Sequence, residues 1–253
     1  MYLIDVNSTI KHQENNMSYS RRNFLSAVPS LALGSLLLPQ SVSANTQSTP
    51  KLSGSQVTGL VSGQPISLPN AEIPGFLSAE QLQVHHDKHY TGALNSYHKL
   101  DAELLEKEFD GPGYATRSRT RTHKANSTLL HEIYFSGLTP ETTAPDAQFS
   151  NAIQRRFGSL DRWWEDFQVA AASSRGWALL VYQPLSGKLY NIISDNHGDG
   201  VLLAGTPILA LDMFEHAYYL DYKNDKTEYI RRFINHIDGQ EISMRYQKAL
   251  MAS

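Results

Sequence analysis

The chain has 253 residues, 22 of them basic and 25 acidic, for a formal net charge of −3, and 41% are hydrophobic. That balance fits a globular protein with a sizeable core and excludes a strongly basic nucleic-acid binder. With no cysteine, disulfides, thiolate metal sites, iron–sulfur clusters and cysteine nucleophiles are all excluded, so any metal must be held by His, Asp or Glu.

Residues 1–44 read as an export signal rather than as part of the fold. Arg21-Arg22 precede an apolar run from Phe24 to Leu38, and Val42-Ser43-Ala44 offers a small-residue cleavage site. This is the pattern of a cleaved twin-arginine leader, with the periplasm as its destination. The run spans 15 residues and is interrupted by Pro29 and Gly34. A stable membrane anchor needs about 20. Residues ahead of Met17 add nothing to such a signal, so Met17 is a candidate start. Twin-arginine export carries folded proteins. It would let a His/Asp site take up its metal inside the cell, where copper does not win on intrinsic affinity.

Residues 45–66 are rich in Ser, Thr, Gly and Gln and read as a flexible lead. A helix follows from Ser78 to about Phe109, with Leu82, His85, His89, Leu94 and Tyr97 near one stripe and Ser78 and Gln81 placed as a capping box. "DGPGY" breaks it, "RSRTRTHK" reads as a connection, and a second helix covers about Asn126 to Gly137. These helices make an antiparallel hairpin over residues 67–139, followed by a linker containing "TPETTAPD". Residues 146–253 change character. Two helices, Ala147–Phe157 and Leu160–Ala172, precede a β-hairpin, Trp177–Gln183 and Lys188–Ser194, then a strand at Pro207–Phe214 and helix over Lys226–Ala249 with a break near Gly239.

The histidines carry the chemistry. His98, His123 and His236 sit in polar settings and read as surface residues. His85 and His131 fall on the inward stripes of the hairpin. Asp212 ends a strand, and His216 follows four residues later at a helix start. A hairpin offering His85 and His131, docked on a unit offering Asp212 and His216, makes a His₃Asp set with one open position. That donor set suits Fe, Mn or Zn, and the open position points to catalysis.

"HHDKHY", "FGSLDRWWEDF", "GWALLV", "GKLYNIIS" and above all "LDMFEHAYYLDY" resemble, in order and spacing, the motifs of the iron/manganese superoxide dismutases. The resemblance runs from about Leu68 to Arg245. It implies an α+β fold: an N-terminal antiparallel helical hairpin, then an α/β domain with a three-stranded antiparallel sheet. It implies one Fe or Mn ion per subunit on His85, His131, Asp212 and His216, with superoxide as substrate. It also gives roles to residues around the metal. His89 would bond Tyr219 of a partner subunit, and Glu215 would bond the other subunit's copy of His216, making a homodimer. Trp177 would line the pocket, His197 would stand where the family bonds metal-bound solvent through Gln, and Lys88 would mark the mouth of the substrate funnel. His86 either lines the interior or is only packed.

Some positions depart from the family. Its gateway tyrosine is Ala93 here, with Tyr97 one turn on, and two pocket tryptophans are Phe135 and Phe214. Ser127 stands at the family's other solvent-bonding position, and Asp225 aligns with a funnel arginine that Lys226, Arg117, Arg119 and Arg121 could replace. These departures keep open a redox metalloprotein with altered or weak dismutase activity, or a non-catalytic metal-binding relative.

Overall fold

The computed structural model describes residues 51–53, 56–106 and 111–252. The expected export signal, residues 1–44, lies outside them. Among the described residues no helix is long and apolar enough to cross a membrane.

The lead is not loose along its whole length. After two short strands, β1 (Lys51–Ser53) and β2 (Gln56–Val57), a helical turn, α1 (Gly59–Ser62), docks on the hairpin. The Gly59 amide donates to Glu132 Oε1 at 2.9 Å, and the Ile66 amide donates to the Tyr90 hydroxyl at 2.8 Å. Gly59 serves close approach here: an added Cβ would lie 2.9 Å from Leu94 Cδ2 and 3.0 Å from the Gln64 carbonyl oxygen. The expected flexible lead over 45–66 is therefore corrected for 58–66.

The first long helix is interrupted where the histidines cluster. Ser78 caps α2 (Ala79–Val84), accepting from the Gln81 amide at 3.1 Å. Residues His85–Tyr90 then form a π-helical segment, and α3 runs over Thr91–Glu106. The next helix, α4 (Pro112–Ser136), is far longer than the sequence pattern suggests. "RSRTRTHK" is its solvated first half and not a connection. The Thr116, Thr120 and Thr122 hydroxyls return to carbonyls four residues back, and Arg121 pairs with Asp101 on α3 at 3.1 Å. Pairing of Tyr90 with Glu132 and of Asp101 with Arg121 runs in opposite chain directions, so α3 and α4 are antiparallel.

The second half begins with α5 (Ala147–Phe157) and α6 (Leu160–Ser173), capped by Asp146 and Ser159. Strands β3 (Trp177–Gln183), β4 (Lys188–Ser194) and β5 (Thr206–Asp212) form one antiparallel sheet in the order β4-β3-β5. β3 is buried at every residue, as a central strand should be. Trp177 pairs with both Ser194 and Asp212, so the register brings the last residue of β5 beside the start of β3. β5 ends two residues before the expected Phe214, because the Phe214 amide turns back to Asp212 Oδ1 at 2.9 Å.

A 3₁₀ turn (Glu215–Ala217), α7 (Tyr219–Tyr222), α8 (Lys226–Phe233), a second 3₁₀ turn (Ile234–His236) and α9 (Gly239–Met251) complete the chain. His236 is not a surface residue. It stacks on Phe76 with ring centres 5.0 Å apart and bonds the Pro140 carbonyl at 3.0 Å.

Arg245 ties α9 to two neighbours. Its buried guanidinium meets Glu241 at 3.0 Å, donates to the Ile208 carbonyl at 3.0 Å and reaches the half-buried Ser136 Oγ at 2.7 Å. Arg245→Ala strands the Glu241 charge and should cost about 3–5 kcal/mol of unfolding free energy. Urea denaturation checks this, and a loss within experimental error would show that the tie contributes nothing.

Candidate metal centre

Four side chains from four elements converge on one point. His85 opens the π segment, His131 lies in α4, Asp212 ends β5 and His216 sits in the first 3₁₀ turn. Their ligand atoms all lie within 4.8 Å of one another. The Nε2 atoms of His85, His216 and His131 stand 3.1, 3.3 and 3.6 Å from Asp212 Oδ2. Asp212 and His85 are fully buried, and His131 is 1% exposed.

His131 and Asp212 are held by their other ends and His216 by its turn, whereas the buried Nδ1 of His85 has no hydrogen-bond partner among the described residues. His131 Nδ1 donates to the Ser127 carbonyl at 2.7 Å, so its Nε2 presents a lone pair to the cluster. That buried Nε2 has no hydrogen-bond partner among the described residues. Asp212 Oδ1 accepts the Phe214 amide at 2.9 Å. The Asp212 carbonyl accepts the Tyr229 hydroxyl at 3.0 Å, and the Tyr134 hydroxyl in turn donates to Tyr229 at 2.9 Å. Gln81 fixes the His216 turn: its amide donates to the His216 carbonyl at 2.7 Å and accepts the Leu220 amide at 3.1 Å. Sequence reasoning gave Gln81 only a capping role and missed Tyr134 and Tyr229. The one usable signal was that Gln81 and Tyr134 lie a helical turn from His85 and His131.

Electrostatics prepare the set for a cation. Burial pushes the Asp212 carboxyl up, but the imidazoles of His216 and His85 outweigh it together and hold Asp212 well below the carboxylate range. Burial lowers His85 despite Asp212, and it lowers His131 further with help from His85. One carboxylate beside three imidazoles, one with a buried unpartnered nitrogen, fits Fe or Mn.

The surrounding residues divide into those at the cluster and those away from it. Phe135 lies 4.9 Å from His85, Trp177 meets His131 edge to face at 5.2 Å, and Phe214 stacks on His216 at 5.3 Å between ring centres. His197 Nδ1 accepts the Trp177 indole N–H at 2.9 Å. His89 stays outside the four-residue set and stacks on His216 at 4.0 Å; burial, then His216 and His85, pull its pKa down to about 4. Glu215 and Tyr219 are exposed. His86 is packed, bonding Asp87 and the Ile66 carbonyl. Ser127 acts through its carbonyl; its hydroxyl is 3.5 Å from His131 Nδ1.

Ala93 is buried, and Tyr97 packs against His98 at 5.0 Å between ring centres. Lys88 is exposed. Lys226 donates to the Ser174 and Ala172 carbonyls, and Asp225 caps α8, so neither acts as a free funnel charge. A separate apolar cavity of about 850 Å³ lies between α4, the sheet and α9, with His197 on its wall.

The buried histidines predict an acid response. His85 and His131 titrate lower in the folded state than in the unfolded chain, so the unfolded state takes up protons first. Stability of the metal-free protein is full above about pH 6.5 and is lost as the pH falls from there through the lower folded values. Melting curves from pH 8 to 5 should show the fall, and His131→Gln should flatten it. An unchanged slope in that variant contradicts the assignment.

Residues 145–245 match the family described as iron/manganese superoxide dismutases, C-terminal domain. The chain is 34% identical over 177 residues to a manganese superoxide dismutase of Haloferax volcanii, covering 69% of this chain and 89% of that protein. It is 33% identical over 193 residues to an iron superoxide dismutase of Cupriavidus metallidurans, covering 74% and 96%. An iron superoxide dismutase of Pyrobaculum aerophilum is 33% identical over 183 residues, with 69% and 86% covered. With its helical hairpin, three-stranded sheet and His₃Asp cluster, the chain belongs to the iron/manganese superoxide dismutase family.

Proposed function

We propose that this chain is an exported superoxide dismutase that works as a homodimer with one Fe or Mn ion per subunit. The observation that carries the reading is the convergence of His85, His131, Asp212 and His216, with the His131 Nε2 buried and unpartnered. His85, His131 and His216 would hold the ion through Nε2, and Asp212 through Oδ2. When bound, the metal supplies a one-electron couple. Across one cycle, one superoxide gives up an electron and leaves as oxygen. A second superoxide takes that electron with two protons and leaves as hydrogen peroxide.

The chain's own residues set the conditions. Phe135, Trp177 and Phe214 exclude bulk water around the imidazoles. Trp177 fixes the tautomer of His197, whose Nε2 then carries the ring proton. His89, Glu215 and Tyr219 support a dimer because all three are exposed in the single chain, and His89 lies on a ligand. A partner there would cover His216 and bond these groups across the interface. Export rests on Arg21-Arg22 and the apolar run that follows. Ala93 favours a second reading, a redox metalloprotein with weak dismutase activity, because a methyl group offers no hydroxyl to a solvent chain.

Purification from fractionated cells, with the full leader expressed, tests the reading. The protein should leave the cytoplasm, run as a dimer in light scattering and carry Fe or Mn by elemental analysis. Its dismutation rate should far exceed that of the free metal, and His216→Ala should lose both metal and rate. A metal-replete protein no faster than free metal, with either ion, refutes dismutase function.

A further inference from the structure

His123 lies outside the metal cluster but is joined to it by one ring. It meets His197 edge to face, with ring centres 4.7 Å apart at 72°. His197 is committed on its other side, since its Nδ1 accepts the Trp177 indole. The His197 ring centre is 6.1 Å from that of the ligand His131. On its outer side, His123 lines an open cleft of about 380 Å³ between α4 and the loop after β4. Arg119, Thr122 and Asn126 face this cleft from α4, and Gly198 and Asp199 face it from the loop. Only two imidazole rings separate the solvent of that cleft from a metal-ligand histidine.

The surroundings suit a group that both takes and releases a proton. His123 is half-buried. Burial, then the charge of Lys124, favours its neutral form, and Asp199 across the cleft favours the protonated one. The net direction is downward, so a proton taken up there is readily released. Ser118 and Arg119 on its own helix and His197 from the loop are further polar groups near it.

We propose that His123 is the outer proton-relay residue of this centre, passing protons from cleft solvent inward past His197. The proposal rests on the dismutase reading. Two superoxide ions and two protons give one oxygen and one hydrogen peroxide. The electron that the first superoxide loses is the one that the second gains, an exchange the bound metal would mediate. Both protons come from solvent, and His123 is reprotonated from the cleft after each transfer, with no covalent bond formed to it. His197, held in one tautomer by Trp177, orients the inner end of the route. His123 touches neither substrate nor metal and reaches the centre only by way of His197.

The test uses full-length, metal-loaded His123→Ala and His123→Gln. Both should keep wild-type metal content and, in the ferric form, wild-type azide affinity read from the visible spectrum. Their dismutation rates should fall about 10- to 100-fold, near the lower end of general acid–base effects because cleft water still supplies some protons. Added imidazole should restore rate to His123→Ala, whose shortened side chain leaves room for it, and not to His123→Gln or the wild type. Full rate in either variant overturns the proposal, as does loss of metal or azide affinity, or the absence of rescue. If wild-type protein itself is no faster than free metal, the dismutase reading fails. An active wild type with equally active variants sinks only the relay.

Discussion

A carboxylate without solvent exposure, at the buried end of the edge strand β5, is the constraint that the rest of the structure answers. Asp212 would be costly to bury alone, by several kcal/mol even after the protein relaxes. Instead Oδ1 takes a backbone amide, and Oδ2 lies within 3.6 Å of three imidazole nitrogens. Those imidazoles come from the hairpin and from the turn after β5. The hairpin and the sheet therefore cannot part without exposing a charge held far from its normal protonation range. Tyr229, backed by Tyr134, anchors the Asp212 carbonyl and Gln81 anchors the turn that follows, so the backbone that carries the carboxylate is set by hydrogen bonds outside the ligand set.

Much of this centre was legible because the ligands sit inside local patterns. "LDMFEHAYY" places Asp212 at a strand end and His216 one turn on, and the β3–β4 pairing follows from two β-prone runs joined by the Pro184–Gly187 turn. The illegible parts depend on contacts distant in sequence. "RSRTRTHK" has loop composition, but its threonines satisfy themselves on the helix and Arg121 finds Asp101. The stretch 45–66 read as a flexible lead, yet Gly59 within it is a point of close packing, bonded to Glu132, 73 residues away. His236 looked exposed because nothing in its neighbourhood announces Phe76 or Pro140.

The same lesson separates the histidines. His85, His86 and His89 share one short stretch, yet one faces the cluster, one is packed on Ile66, and one stacks on the turn of His216. Composition marks the stretch as chemically loaded but cannot assign the rings. His123 carries the opposite message. It stands in a run of charged and hydroxyl residues, and only the loop after β4, more than 70 residues on, gives it a neighbour of consequence.

The π segment at His85–Tyr90 bears on how this protein can change over evolutionary time. A π turn holds one more residue than the α turn it interrupts. Both flanks are pinned: Gln81 on α2 grips the His216 turn, and Asp101 on α3 is paired to α4. Deleting one residue there would restore a plain α-helix and turn one flank by about 100° against the other. Gln81 and Asp101 could not then both keep their partners. Substitutions within "HHDKHY" can drift wherever a ring is only packed, whereas a change of length would be rejected. The spacing between Gln81 and Asp101 is thus a stricter constraint on this fold than most of the residues it contains.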